Sequence, residues 1–302
     1  MNVVVTMTPG GWTAHHGESA VGKAAAFVRP DDRCVVSFGS CRAEAYGPLA
    51  RAVAQHFQRD LHTEIDESDT ETHRHLAESG FAVHRREHLY AIPTDPAITG
   101  LVGGTAPPEF EIVTADQVDE DRLRELDDEL RQDVPGADGW KWSPPGFRRE
   151  THDSPSFDPA LYLVAVERST GRYAGLVRVW NDPGVPRLGL IAVGRPYRRR
   201  GLASILLARA FAVLHERGKT EVTAEADVTN TGSTTLLTGL GARRTGGSVE
   251  LVRPGRRPAC LSGAPDVPRP AQGENQAVRS RRRDAAPPLV RTPAGRRSTS
   301  FA

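Results

Sequence analysis

The chain has 302 residues, 38% hydrophobic and 25% charged, with 39 Lys and Arg against 38 Asp and Glu for a net charge of +1. That length suits about two domains, and so even a charge balance excludes a global basic field for nucleic acid. Three scattered cysteines, Cys34, Cys41 and Cys260, supply neither a disulfide framework nor a zinc site, and no apolar run reaches the ~20 residues of a membrane-spanning helix.

Residues 1–30 are rich in Gly, His and Ala and lack clear periodicity, and they read as a poorly ordered extension. Their short apolar opening, Val3 to Val5, has neither the basic start nor the long apolar stretch of a secretory signal. A soluble cytoplasmic protein is the expectation. Gly17 to Ala24 approaches a phosphate-loop pattern, but Ala24 stands where Ser or Thr would have to hold magnesium.

Arg33 to Phe38 reads as a strand, and Tyr46 to Phe57 as a helix with Leu49, Ala50, Val53 and Phe57 on one face. Leu61 to Ile65 alternates as a strand does. Thr70 to Ser79 is helical and stops at Gly80. Phe81 to Ile92 reads as a strand pair broken by Pro93, and a Gly- and Pro-rich linker at 100–108 follows. Phe110 to Val113 opens a second unit as a strand. Asp116 to Gln132 is a helix that Asp116 caps, with Leu123, Leu126 and Leu130 on one face. Pro135 to Pro159 is irregular and holds Trp140, Trp142 and Phe147. Leu161 to Val166, Tyr173 to Trp180 and Leu188 to Val193 form a meander. Leu202 to Arg217 is a strongly amphipathic helix, Thr220 to Ala226 a strand, Thr231 to Thr238 a short helix, and Ser248 to Val252 a last strand. Beyond Pro254 the composition is that of a disordered tail, and Arg253 to Ala302 holds 11 Arg against 3 acids.

The halves resemble each other. Glu64-Ile-Asp66 with Asp69, Leu76 and Gly80 precedes Glu225-Ala-Asp227 with Asn230, Leu237 and Gly241 by 161 residues. Arg42, Ala45 and Gly47 precede Arg198, Gly201 and Ala203 by 156 residues. The first copy is expected to lack its opening strands and meander.

The stretch from Ile191 to Val193 through Arg195-Pro-Tyr-Arg198-Arg199-Arg200-Gly201-Leu202-Ala203 is an apolar strand, a basic loop and a helix start. Free amides at a helix N-terminus attract anions, and small Gly201 and Ala203 let a phosphate approach the backbone. A pyrophosphate is the natural guest.

With its Arg198, Gly201 and Ala203 loop between a strand and a helix, the segment 109–253 resembles the GNAT superfamily of acetyl-CoA-dependent N-acyltransferases. The resemblance implies an α+β fold with a mixed central sheet flanked by helices, here preceded at 31–99 by a degenerate half-domain of the same kind. It implies acetyl-CoA as co-substrate, held by Ile191, Val193, Arg198, Arg199, Arg200, Gly201, Leu202 and Ala203, with Asn230 and Ser233 near the thiol end. It implies acyl transfer to a small-molecule or peptide amine by a monomer or homodimer, with no metal, membrane or specific nucleic-acid partner. The Val193 amide is the expected oxyanion donor, Glu225 the candidate base, and Ser233 a substitute acid, because Leu237 occupies the position where the family often carries Tyr. A non-catalytic acyl-CoA-binding or interaction module is the alternative. Trp140, Trp142 and Phe147 either wall the acceptor pocket or cover the core. Asp133 and Asp138 could attract a cationic amine.

Overall fold

The computed structural model describes residues 3–29, 31–101, 103–137 and 139–255. The expected disordered basic tail lies outside the described residues from 256 onward, as do Cys260 and Asp138. No helix among the described residues is long and apolar enough to cross a membrane.

The first repeat runs β1 (Val4–Thr8), β2 (Gly11–His16), β3 (Ser19–Val28), β4 (Cys34–Gly39), α1 (Ala43–Phe57), β5 (Leu61–Asp66), α2 (Thr70–Glu78) and β6 (Ala82–Pro93). A single turn, α3 (Pro96–Thr99), leads into the second. That repeat has β7 (Phe110–Thr114), α4 (Glu120–Arg131), α5 (Pro144–Glu150), β8 (Tyr162–Glu167), β9 (Tyr173–Trp180), β10 (Arg187–Val193), α6 (Leu202–Glu216), β11 (Glu221–Asp227), α7 (Thr231–Gly239) and β12 (Arg243–Arg253). All strands join one 12-stranded sheet, in the order β1-β2-β3-β4-β5-β12-β6-β11-β10-β9-β8-β7.

Three expectations are corrected. Residues 4–28 are not an extension; they form the antiparallel meander β1-β2-β3, which pairs on to β4. Alternate residues Trp12 and Ala14 of β2, with Val21 and Ala24 of β3, are buried against Leu49, Ala50 and Val53 of α1, so each strand covers a core with small side chains. The first copy therefore has its opening strands. What it lacks is any counterpart of α4 and α5, since β1 turns directly into β2. Residues 82–93 form one continuous strand rather than a pair, with Pro93 at its end.

Smaller differences have local causes. Asp116 lies in a 3-10 turn, and Asp119 caps α4 by accepting from the Arg122 amide at 2.9 Å. The stretch read as irregular contains α5, started by Ser143, whose hydroxyl accepts from the Gly146 amide at 3.2 Å, and by the prolines behind it.

The repeat is explicit in the hydrogen bonding. Asp66 Oδ1 accepts from the Ser68 amide at 2.9 Å and Asp69 Oδ1 from Thr72 at 3.0 Å. Asp227 Oδ1 accepts from the Thr229 amide at 2.8 Å and Asn230 Oδ1 from Ser233 at 3.0 Å. The helices follow a different offset, one residue from the 156 that separates Arg42 from Arg198. Buried Ala45, Leu49, Ala50 and Val53 correspond to buried Leu202, Leu206, Leu207 and Ala210, 157 residues on.

The two repeats interleave at the centre of the sheet. In each, the parallel pair, β4 with β5 or β10 with β11, is continued by the last strand of the other repeat. β12 pairs antiparallel with β5, and β6 pairs antiparallel with β11. In the second repeat α6 and α7 pack on one face over Val177, Val179, Val222 and Ala224, and α4 and α5 on the other over Val164, Leu176 and Leu190.

Candidate active site

β10 and β11 are hydrogen-bonded at only two parallel positions, Arg187 with Thr223 and Leu188 with Ala224. The register of β10 then slips at Gly189, whose missing side chain admits Trp180: a Cβ there would meet the indole nitrogen at 2.7 Å. Past this bulge the strands separate, and a cleft opens between them, lined by Leu190, Ile191, Glu225, Asp227, Asn230, Ser233, Leu237 and Glu87.

Gly194 donates its amide to Ala174 of β9 at 2.8 Å. Antiparallel ladders alternate, so the amides of Ile191 and Val193 point away from β9, toward the gap. The carbonyl of Val193 accepts from Arg198 Nε at 2.9 Å. The cleft wall thus presents unpaired strand amides where a peptide-like chain could pair.

The basic loop closes one end. Arg199 and Gly201 both adopt left-handed φ, 60° and 78°. Gly201 is the N-cap of the 15-residue α6, no side chain caps that end, and a Cβ on Gly201 would meet nothing within 4 Å. The first-turn amides at Leu202 and Ala203 therefore face open space with the helix dipole behind them. Leu202 offers only its backbone, because its side chain is buried in the core.

The three arginines separate. Arg198 is tied to Asp133 and Val193, while Arg195 also binds Asp133 at 2.7 Å. Hydrogen bonds from these two guanidiniums hold the Asp133 carboxyl below the usual range. Asp133 is consequently engaged with the loop rather than available to an amine, and Arg198 braces the loop. Arg199 and Arg200 are exposed, the latter over the Tyr197 ring at 6.0 Å.

At the other end Asn230 caps α7 through Ser233, so its carbonyl oxygen is committed, while both residues still line the cleft. Leu237 is buried in the wall. Asp227 is engaged by Thr229, and Glu225 is exposed.

Of the aromatics, one belongs to the core and two line a surface groove. Phe147 is fully buried core. Trp140 and Trp142 stack edge to face at 4.5 Å and wall a groove with Arg33, Arg85, Arg131 and Gly136 that adjoins the cleft at Val134 and Pro135. Trp142 Nε1 donates to Asp127 Oδ1 at 2.9 Å. Asp127 is fully buried with Arg178 beside it at 3.5 Å. Burial alone would raise the Asp127 carboxyl, but Arg178 and Arg131 outweigh it and hold it low.

Glu87 is the residue that sequence reading missed. It belongs to the first repeat and reaches the second repeat's cleft only because β6 lies against β11, in register with Asp227. Burial pushes its carboxyl up to about 7; Arg85 opposes the rise and Glu225, Glu64 and Asp227 add to it.

In the first repeat β4 and β5 also pair at only two positions, Cys34 with Leu61 and Val35 with His62. There Phe38, Tyr46, His75 and Phe81 pack together, with Phe38–Tyr46 at 5.4 Å and Tyr46–His75 stacked at 5.5 Å. The Arg42 amide at the start of α1 is occupied by Val21 O at 2.8 Å.

A mixed sheet with a splayed parallel pair, a bulged strand and an uncapped helix start defines an acyltransferase-type fold. Residues 121–242 match the sequence model of the Acetyltransferase (GNAT) family, and the chain carries a GNAT domain there. A GCN5-related N-acetyltransferase from Sphaerobacter thermophilus shares the fold with a TM-score of 0.63 at 22% identity, over 84% of this chain and 83% of that one. A tandem GNAT protein from the clavulanic acid biosynthesis pathway, solved without AcCoA, gives 0.59 at 18% identity over 82% and 83%. These span both repeats, so the likeness in fold extends to the N-terminal half. The N-alpha-acetyltransferase MAK3 of Arabidopsis thaliana is 44% identical over 54 residues, 18% of this chain. The match spans only 28% of the length of that relative.

Proposed function

We propose that the protein is an N-acetyltransferase that moves an acetyl group from acetyl-CoA to a primary amine. The observation that carries this reading is the uncapped N-terminus of α6, preceded by left-handed Arg199 and Gly201, at the open end of the splayed parallel pair β10 and β11.

The pyrophosphate would rest on the amides from Arg199 to Ala203, with the Arg199 and Arg200 side chains adding charge and Arg198 bracing the loop. The pantetheine arm would pair with the edge of Ile191 and Val193, and reach Asn230 and Ser233. At the thioester, the Val193 amide is the proposed oxyanion donor. The amine would approach across the α4 and α5 face, past Trp140 and Trp142. Thiolate is a fair leaving group, as thiols titrate near ~8.5, so Leu237 in place of an acid is compatible with turnover; the Ser233 hydroxyl or solvent can supply the proton.

Isothermal titration with acetyl-CoA, followed by thiol release with a panel of aliphatic, aromatic, amino-sugar and peptide amines, tests the reading. Absence of acetyl-CoA binding to the intact chain would refute it. The second reading, a non-catalytic acyl-CoA-binding module, is favoured by one observation, the buried Leu237 in the cleft wall. It predicts binding without amine-dependent thiol release.

A further inference from the structure

We infer that Glu87, on the last strand of the first repeat, is the general base that deprotonates the acceptor amine in the second repeat's cleft. This rests on the reading of the cleft as an acetyl-transfer site.

Three observations converge. β6 lies beside β11 with Glu87 opposite Asp227 and Leu89 opposite Glu225, so Glu87, Glu225 and Asp227 share one sheet face. It is the face away from Ala224 and Ala226, which pack in the core under α6; the amine approaches from that side. Of the three carboxylates, Asp227 is engaged with Thr229 and Glu225 is exposed, whereas Glu87 is largely buried and still lines the cleft. The sequence around Glu87 carries no acyltransferase motif, which is why only the interleaved sheet reveals it.

The groups facing Glu87 set its basicity. On its own strand Arg85 approaches to 3.2 Å, but Arg85 also binds Glu250 of β12 at 3.1 Å, which in turn holds His62 of β5 at 2.9 Å. Glu64 of β5, with Glu225 and Asp227 of β11, adds negative charge. The loop at Val134 and Pro135 brings a carbonyl, already taken by Arg85, and no charge. A half-buried carboxyl among carboxylates binds a proton near neutral pH, where a base works best.

The step balances. The acceptor ammonium gives one proton to the Glu87 carboxylate, directly or by way of one water. The neutral amine then attacks the thioester carbon, the C–N bond forms, and the C–S bond breaks with the electron pair on sulfur. The second proton leaves the nitrogen and ends on the CoA thiolate. Glu87 returns its proton to solvent.

The test uses the full chain with acetyl-CoA and whichever amine of the panel gives thiol release. Glu87→Gln should lower kcat/KM by ~10²–10⁴-fold and abolish the limb of the pH profile near 7. The remaining rise should follow the amine's own pKa, and acetyl-CoA binding should stay within about threefold. Glu87→Asp should keep the limb at reduced rate. Glu225→Gln should move the limb to lower pH by removing a neighbouring charge. If the wild type releases thiol but Glu87→Gln retains both rate and limb, the assignment to Glu87 is wrong and the acetyltransferase reading stands. If the wild type binds acetyl-CoA yet no amine elicits thiol release, the acetyltransferase reading fails and the base assignment falls with it.

Discussion

Glu87 and Asp227 face each other across the antiparallel pair of β6 and β11, one from each repeat. No contact within a single repeat could place them so. The relationship gives the first repeat a part in the second repeat's site, since the first repeat contributes a strand to its neighbour's cleft wall.

Glu87 also makes stability depend on pH. A carboxyl raised from 4.5 to about 7 in the folded state favours folding while protonated. That stability is fully present below the unfolded value and is lost as pH rises through about 7. At ~1.4 kcal/mol per pKa unit, the loss is at most about 3 kcal/mol. Urea midpoints for the wild type and Glu87→Gln should therefore diverge between pH 5 and 8.5, with the Gln variant gaining relative to wild type at the alkaline end. Parallel curves would show that Glu87 titrates normally.

At Gly201 backbone and charge can be separated. With φ at 78°, any L residue there is strained, by ~1–2 kcal/mol. Gly201→Ala should lower stability by about that much and weaken acetyl-CoA binding only a few-fold, because the Cβ meets open space. Gly201→Glu adds a like charge where the pyrophosphate would sit. It should weaken binding by a further ~10-fold or more, about 1.4 kcal/mol. Equal affinities for the two variants, measured by titration calorimetry, would move the phosphate site away from α6.

The loop and the helix behind it were legible because each carries its own local signal: an apolar strand, a Gly after three Arg, then Ile205, Leu206, Ala210, Val213 and Leu214 at helical spacing. The meander at residues 4–28 was not. Its buried positions are small or aromatic, Ala14, Ala24 and Trp12, between Thr, His and Lys, so the two-residue alternation of burial has little hydrophobic contrast. Asp227 as a turn-former was legible from its recurrence at Asp66. Glu87 was hidden for a topological reason. Neither spacing nor composition encodes that β6 is inserted between β12 and β11.

Asp127 and Arg178 form a buried pair beneath Trp142. Asp127 Oδ2 and Arg178 Nε and Nη1 are buried without hydrogen-bond partners. Removing Asp127 leaves Arg178 buried without its counter-charge, at a cost of ~3–5 kcal/mol, whereas removing Arg178 leaves Asp127 still paired with Arg131. Asp127→Asn should destabilise by that order in chemical denaturation, and Arg178→Met by less, because Arg131 still balances Asp127. The double variant Asp127→Asn with Arg178→Met should recover much of the loss. If the single variants cost under about 1 kcal/mol, solvent already reaches the pair.

The interleaved strands make a last prediction about cooperativity. β12 is hydrogen-bonded to β5 at six positions and to β6 along most of its length, while β6 is bonded to β11 at seven. Unfolding the second repeat withdraws β12 from the first, leaving the edges of β5 and β6 unpaired. Unfolding the first withdraws β6 and exposes β11 in the same way. Open strand edges and the apolar surface beneath them are costly, so neither repeat has a stable folded state once the other is lost. Trp12 reports the first repeat and Trp142 the second. In each variant retaining only one of these tryptophans, the remainder replaced by Phe, tryptophan fluorescence and far-ultraviolet circular dichroism should give coincident urea transitions with one m-value. Two transitions separated in midpoint would mean that the linker at 100–108, rather than the shared sheet, divides the protein energetically.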